Sequence, residues 1–176
     1  MMTMTENQEH FYQHTIALLN ERGVTLKDIE DLVYYLQKDY IHPLTHEAMQ
    51  ESIEKVLQKR EVQNSIITGI ELDKLAEKKQ LSEPLQSIME NDEPLYGCDE
   101  VLTFSITNLY GSIGFTNYGY IDKTKPGILK WLNDKSTGKI NVFLDDLVGA
   151  VAAAAASRLA HTQTDLEDDS IYSRKD

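Results

Sequence analysis

Two adjacent carboxylates, Asp145 and Asp146, stand at the start of the most apolar segment of the chain, which continues as LVGAVAAAAASRLAH. A buried carboxylate is costly unless a metal ion, a basic side chain or backbone donors compensate its charge. If the helix already includes Asn141, the spacing places Asn141, Asp145 and Asp146 near one stripe. Three oxygen-bearing side chains are typical ligands of a hard cation such as Mg²⁺.

A second interpretation of the same segment needs no metal. Residues 142–144 are then extended, Asp145 is the N-cap of the helix, and Asp146 lies in the first turn, where the helix dipole favours an anion. Gly149 removes a side chain from the stripe of the two carboxylates, which would leave room for a ligand or for a second backbone. The residues alone leave both interpretations open.

A short charged link, GYIDKTKPGILKW at 119–131, precedes this segment. Asp122, Lys123 and Lys125 lie between two apolar stretches, and Pro126 favours the start of a following helix. A lysine at this place could neutralise a phosphate group. An ordinary solvated loop would have the same composition.

The elements that must position these residues are helices, since apolar residues recur at helical spacing and strand alternation is nearly absent. The last helix, from Val142 or Asp146 to about His161, is apolar nearly all round, which is typical of a helix buried inside a bundle. We therefore expect an all-α single domain at 1–163, with six to eight helices arranged around this central apolar helix. Residues 164–176 form a polar, frayed tail in this prediction.

Composition excludes several classes of function. Asp plus Glu number 29 and Lys plus Arg number 17, so the formal net charge is −12 and no basic stripe is available for nucleic acid. The single Cys98 excludes an internal disulfide and a multi-Cys zinc site, and fits a reducing cytoplasm. The first residues resemble no secretory signal, and no apolar window is long enough to cross a membrane. We expect a cytoplasmic protein.

Taken together, DKTKPGILKWLND and the downstream VFLDDLVGAVAAAA resemble the C-terminal signature of the phosphatidylglycerophosphatase A family. The resemblance covers roughly 119–156. The family pairs an Asp-x-x-Lys-Pro segment with an Asp-Asp pair ahead of a helix of small residues. The matching positions here are Asp122, Lys125, Pro126, Asp145, Asp146 and Gly149.

The resemblance implies a magnesium-dependent phosphatase of lipid metabolism that removes the terminal phosphate of phosphatidylglycerophosphate. Asp122, Asp145 and Asp146 would form the catalytic set and, with Asn141, would hold Mg²⁺. Lys125, with Lys123 nearby, would contact the phosphate of a phospholipid or of a small phosphate ester. Transient contact with a membrane is compatible with this function.

One motif of the family is not found where it is expected. Membrane-embedded members carry a Trp-Asp-Glu motif in the middle of the chain, whereas the corresponding segment VQNSIITGIELDK, at 62–74, has no acidic pair and only Asp73 as a stand-in. A second hypothesis is therefore a catalytically silent helical protein that binds metal or phosphate, or acts as a scaffold. A third is a homo-oligomer whose Ala-rich helix forms the subunit interface.

Overall fold

The computed structural model describes residues 6–172, with side chains described as far as Thr162. In this range the chain is all-α and contains no strand, as the periodicity predicts. The helices are α1 Glu6–Glu21, α2 Leu26–Gln37, α3 His46–Leu57, α4 Arg60–Glu77, α5 Leu85–Asn91, α6 Cys98–Thr107, α7 Gly111–Thr124, α8 Ile128–Leu132 and α9 Leu144–Tyr172.

Helix α9 is the centre of the fold. Helices α2, α3, α4, α6, α7 and α8 all contact it, and the run Ala152–Ala156 is completely buried inside the domain. The small side chains let the surrounding helices approach closely while no polar face has to be covered. The central apolar helix is thus confirmed. The idea that its Ala run forms a subunit interface is wrong, because this chain's own helices already cover the run.

The C-terminal end of α9 extends beyond the predicted domain boundary at 163. Its backbone is helical to Tyr172. The predicted tail at 164–176 falls where no side chain is described, and residues 173–176 lie outside the described residues altogether.

Local capping signals place several helix starts correctly. Thr25 and Asp28 form a complete capping box at the start of α2, and the Thr45 side chain accepts a hydrogen bond from the backbone N–H of Ala48 in α3. Asp99 lies in the first turn of α6, and Gly97 is the N-cap.

The apolar stretch after Asp99 and Glu100 forms two helices. A short 3₁₀ turn at Asn108–Tyr110 and the positive φ of Gly111, +69°, separate α6 from α7. The two helices pack against each other, and the ring centroids of Phe104 and Phe115 are 5.3 Å apart. The break raises the number of α-helices in the described range to nine, above the six to eight expected.

The start of α9 is held by α4. Asp73, which is fully buried, accepts hydrogen bonds from the backbone N–H groups of Phe143 at 3.1 Å and Leu144 at 3.0 Å. These are among the N–H groups that a helix cannot satisfy within itself. One turn earlier on α4, Gly69 lies so close to α9 that an added Cβ would be 2.9 Å from the Cβ of Phe143. The contact fixes the position of the first turn of α9.

No helix in the described part of the chain is both long enough and apolar enough to span a membrane.

Candidate active site

A pocket of about 340 Å³ opens where the first turns of α6 and α9, the last turn of α7 and the loop after α8 meet. The predicted residues Asp122, Lys125, Asn141, Asp145 and Asp146 all line it. The juxtaposition expected from the two sequence segments is therefore present. Their chemical roles remain predictions. The other lining residues are Met89, Glu90, Asp92, Asp99, Glu100, Leu132, Asn133, Asp134, Lys135, Gly138, Lys139, Ile140 and Val142.

Lys125 lies among three carboxylates at the base of the pocket. Its Nζ donates to Asp122 and to Oδ2 of Asp145, the latter at 2.9 Å, and lies 3.7 Å from Oδ1 of Asp146. Asn133 Nδ2 donates to the same Asp145 oxygen at 2.7 Å. One ammonium and one amide thus face three acidic groups, so the cluster would carry an excess of negative charge if all three were ionised.

The backbone that presents Lys125 adopts an unfavourable conformation. Lys125 is the C-cap of α7 with φ +44° and ψ +54°, a left-handed geometry that glycine or asparagine adopts more readily. Residues held in this region cluster at functional sites, where the surroundings fix them. Here the hydrogen bonds of the ammonium to Asp122 and Asp145 hold the residue in place.

The pKa values of the two adjacent carboxylates are raised by burial and, for Asp146, also by the charge of its neighbour. Burial, together with the charge of the adjacent Asp145, raises the pKa of Asp146 to about 9. Burial also raises the pKa of Asp145, although Lys125 and Asn133 oppose the shift. Burial would lower the pKa of Lys125, but the charge of Asp145 and the carboxylate hydrogen bonds outweigh it and raise that pKa. Lys125 is consequently charged at neutral pH.

The two interpretations of the start of α9 are both wrong in detail. The helix begins at Leu144, so Asn141 lies before it and Asp145 is not its N-cap. Asp145 and Asp146 occupy the first turn, where the helix dipole favours anions. The capping hydrogen bonds come from Asp73 on α4, so Asp73 faces the helix start and is not a stand-in for the missing acidic motif.

Asn141 has a positioning role in this structure. Its Oδ1 accepts a hydrogen bond from the buried Arg22 at 2.7 Å, and its Nδ2 donates to the carbonyl of Leu132 at 3.1 Å. The same Arg22 nitrogen donates to the carbonyl of Ile140 and forms an ion pair with Glu77 at 2.7 Å. These bonds tie the loop before α9 to the turn after α1 and to α4. Sequence reasoning missed Arg22, since no local pattern marks a residue whose partners lie 55 to 119 positions away.

Two other residues lie away from the pocket. Lys123 is exposed and is not among the lining residues. An added Cβ at Gly149 would meet Ile121 at 3.5 Å and Leu129 at 3.7 Å, so this glycine faces the packing between α9, α7 and α8 and leaves no room for a ligand.

An acidic pair does line the pocket, but it comes from a different segment than expected. Asp99 and Glu100, in the first turn of α6, face the cluster of Asp122, Asp145 and Asp146. The signal in the sequence was an Asp-Glu pair directly before the apolar stretch VLTFSI, later in the chain than 62–74. Lys135 and Lys139, in the loop after α8, also line the pocket and were not predicted.

The chain is similar in sequence and fold to several known proteins. The chain is 62% identical over 160 residues to YutG of Bacillus subtilis (strain 168), a protein described as uncharacterized, and the match covers 90% of this chain and 96% of YutG. A Bacillus stearothermophilus protein of unknown function has a similar structure, with 65% identity, a TM-score of 0.84 and coverage of 86% of this chain and 94% of that one. The low temperature requirement C protein of Listeria monocytogenes matches with 55% identity, a TM-score of 0.85 and coverage of 88% and 97%.

A family model covers most of the chain. The model described as phosphatidylglycerophosphatase A matches residues 16–161, a range that contains α2 to α8, the start of α9 and the whole pocket. The family resemblance carried by the segments around Asp122 and Asp145 thus extends over nearly the entire domain. The chain belongs to the phosphatidylglycerophosphatase A family.

Proposed function

We propose that the protein is a magnesium-dependent phosphomonoesterase that removes the terminal phosphate of phosphatidylglycerophosphate or of a related phosphate ester. The observation that carries the proposal is the cluster of Asp122, Asp145 and Asp146 around Lys125 at the base of the pocket. Family membership supports a phospholipid phosphate as the substrate.

The donors in the pocket fit a hard divalent cation. Within residues 6–162 no three His, Cys, Asp or Glu side chains are already grouped as a metal centre. The carboxylates nevertheless outnumber the single ammonium among them, and burial beside Asp145 leaves Asp146 with a pKa of about 9. Such a pKa indicates charge that the protein alone does not compensate. Carboxylate oxygens are the ligands that Mg²⁺ prefers.

In this proposal the carboxylates of the pocket bind the metal ion. Asp122, Asp145 and Asp146 would hold Mg²⁺, and Asp99 and Glu100, which also line the pocket, are further candidate ligands. Mg²⁺ would supply positive charge at the phosphate and lower the pKa of a coordinated water. We leave Asn141 out of the ligand set, since Arg22 already occupies its carbonyl oxygen.

Lys125 would contact the phosphate. Its ammonium is charged and positioned by Asp122 and Asp145, and it stabilises the negative charge of a phosphoryl group most where water is excluded. A net charge of −12 repels an anionic substrate, so local cations must offset that field. Lys135 and Lys139, at the pocket wall, are suited to a second phosphate group of the same substrate.

The dimensions of the pocket suit a headgroup. A volume of about 340 Å³ is at the lower end of small-molecule sites. A glycerol phosphate fits such a pocket, while two acyl chains would have to remain outside it. The proposal therefore includes transient contact with the membrane surface that carries the lipid, and a cytoplasmic location, which the single Cys98 supports.

The experiment that tests the proposal is phosphate release from phosphatidylglycerophosphate by the full chain, with and without Mg²⁺. Asp146→Asn keeps the shape of the side chain but cannot ionise to bind a cation. We expect magnesium-dependent release by the wild type and a loss of at least about a hundredfold in the variant, the scale on which removal of a transition-state stabiliser acts. Asp39→Asn, an exposed carboxylate outside the pocket, is the matched control and should retain full activity.

Binding of Mg²⁺ and of phosphate without release from any phosphate ester would favour the catalytically silent protein. Equal activity of Asp146→Asn and the wild type would place the reaction elsewhere.

A further inference from the structure

The hydroxyl group of Tyr118, on α7, is buried without a hydrogen-bond partner. The residue is only 6% exposed, and its hydroxyl oxygen bonds to no group among the described residues. Buried tyrosine hydroxyls usually have a partner, because a polar group that leaves water without replacing its hydrogen bonds lowers stability. A buried group of this kind therefore needs an explanation, and a ligand or metal site beside it is one.

Tyr118 lies behind two carboxylates of the pocket. An added Cβ at Gly149 would be 3.9 Å from Cε2 of the tyrosine ring, so the hydroxyl end of the ring lies beside α9. Asp146 is three residues before Gly149 and therefore shares its stripe of α9. Asp122 is four residues after Tyr118 and shares its face of α7. Tyr118 is not itself among the residues that line the pocket, so it can act on the pocket only through such neighbours.

The groups around the hydroxyl favour Asp146 as its partner. Burial raises the pKa of Tyr118, and the charges of Asp146 and Asp122 raise it further, which places both carboxylates near the ring. Thr103 and Asp146 are the side chains toward which the hydroxyl can form a hydrogen bond, and neither bond is formed in this structure. The Thr103 hydroxyl already donates to the carbonyl of Glu100 at 2.6 Å. A carboxylate accepts a hydrogen bond more strongly than a hydroxyl does.

The two adjacent carboxylates of α9 are held to different degrees. Oδ2 of Asp145 accepts hydrogen bonds from Lys125 at 2.9 Å and from Asn133 at 2.7 Å. Oδ1 of Asp146 lies 3.7 Å from the same Lys125 ammonium, which is longer than a hydrogen bond. Carboxylates that bind metal ions are themselves usually oriented by hydrogen bonds from groups behind them. Tyr118 is placed to supply such a bond to Asp146.

We propose that Tyr118 is a positioning residue whose hydroxyl donates a hydrogen bond to the Asp146 carboxylate when Asp146 holds Mg²⁺. The inference rests on the proposed function, in which Asp146 is a metal ligand, and it adds a residue outside the pocket. The bond restricts the rotation of the carboxylate, so that less freedom is lost when the ion binds. Because the fold itself gives the hydroxyl no partner, its removal should weaken metal binding without lowering the stability of the fold.

The test is Tyr118→Phe in the full chain, which removes the hydroxyl and keeps the ring. Calorimetric titration with MgCl₂ at one pH measures the affinity for the ion, and a thermal melt without Mg²⁺ measures stability. We expect the affinity to fall about tenfold or more, the scale on which groups behind a metal ligand act. The melting temperature without Mg²⁺ should be unchanged or higher, because the substitution removes a buried polar group that has no partner.

Tyr110→Phe is the matched control. The Tyr110 hydroxyl is likewise buried without a partner among the described residues, but the charged group that acts on it is Arg158, about three turns beyond Asp146 on α9. This variant should bind Mg²⁺ as tightly as the wild type does.

Three results would overturn the proposal. A Tyr118→Phe variant that binds Mg²⁺ as tightly as the wild type would refute the role of Tyr118 and leave the proposed function standing. A lower melting temperature of Tyr118→Phe without Mg²⁺ would assign the hydroxyl a structural bond, with Thr103 as the partner. A wild type that binds no Mg²⁺ would overturn both this inference and the metal-dependent function on which it rests.

Discussion

At the scale of single residues, the site contains more carboxyl groups than ammonium groups. Asp145 and Asp146 are adjacent, buried and close to Asp122, while Lys125 is the one ammonium that the described structure places among them. Such a cluster is stable only if protons or cations make up the difference. Two predictions follow from this excess of negative charge.

The first prediction concerns pH. The pKa of Asp146 is raised to about 9, so at neutral pH this carboxyl carries a proton that a metal ion must displace. The affinity for Mg²⁺ should therefore rise with pH between 6 and 8, by up to about tenfold per unit for one displaced proton. Calorimetric titration with MgCl₂ at several pH values measures this slope. Asp146→Asn should flatten the slope, while Asp39→Asn should leave it unchanged; an affinity independent of pH in the wild type would contradict the prediction.

The second prediction concerns Lys125. Lys125→Met leaves three carboxylates without their ammonium, and we expect a loss of about 1–3 kcal/mol in the free energy of unfolding without metal, since the lysine side chain is 28% exposed. Mg²⁺ should restore stability more strongly in this variant than in the wild type. Thermal melts with and without Mg²⁺ provide the measurement. Lys123→Met, an exposed neighbour, should change little; an equal effect of both substitutions would show that the pocket charge is irrelevant.

At the scale of elements, the junction of α4 with α9 determines where the carboxylate pair lies. Asp73 caps α9 from outside the helix, and Gly69 allows the two backbones to approach. The capping carboxyl is fully buried, and burial raises its pKa to about 8 against the opposing hydrogen bonds from Phe143 and Leu144. The unfolded chain ionises Asp73 at lower pH than the folded one, so this group lowers stability progressively as pH rises from about 4 to about 8.

The third prediction compares two buried helical glycines. An added Cβ at Gly69 would be 2.4 Å from Cδ1 of Leu147 and 2.9 Å from the Cβ of Phe143, while at Gly149 the nearest atom would be 3.5 Å away, on Ile121. Gly69→Ala should therefore cost about 1–3 kcal/mol through overpacking. Gly149→Ala should be neutral or stabilising by up to about 1 kcal/mol, because alanine favours helix. Urea unfolding measures both values, and equal stabilities would refute the close approach of α4 to α9.

At the scale of the whole molecule, one helix links nearly all the others. Six helices, α2, α3, α4, α6, α7 and α8, contact α9, and the side chains from Leu144 to Ser157 are buried on every side. Any change in the volume of this helix is transmitted to several neighbours, since closely packed interiors do not deform freely. The domain should therefore unfold as a single unit.

The fourth prediction tests this dependence. Ala154→Leu adds three carbon atoms at a fully buried position of α9 and should lower the free energy of unfolding by about 1–3 kcal/mol or more. Ala17→Leu, at an exposed position of α1, should change it by less than about 0.5 kcal/mol. Helical circular dichroism and Trp131 fluorescence should report one shared transition in each variant. Separate transitions, or a stable Ala154→Leu protein, would show that α9 does not organise the fold.

The sequence by itself determined the helical class, several helix starts and the identity of the central helix. These depend on local properties: the spacing of apolar residues, the capping box at Thr25 and Asp28, and the apolar character of the segment after Asp146 on all sides. The proximity of Lys125 to Asp145 was also foreseeable, because two short motifs of one family occurred in the expected order, whereas their hydrogen bond was not predicted.

Only the tertiary structure decided which further residues share the pocket. Asp99 and Glu100 join Asp145 because α6 packs beside α9, and Asn141 bonds to Arg22 because that arginine reaches the loop from the turn after α1. Asp73 caps α9 from α4 at a separation of seventy positions. Periodicity and capping patterns describe one helix at a time, whereas these contacts depend on how helices distant in sequence lie against each other. The packing around α9 therefore decided the composition of the site.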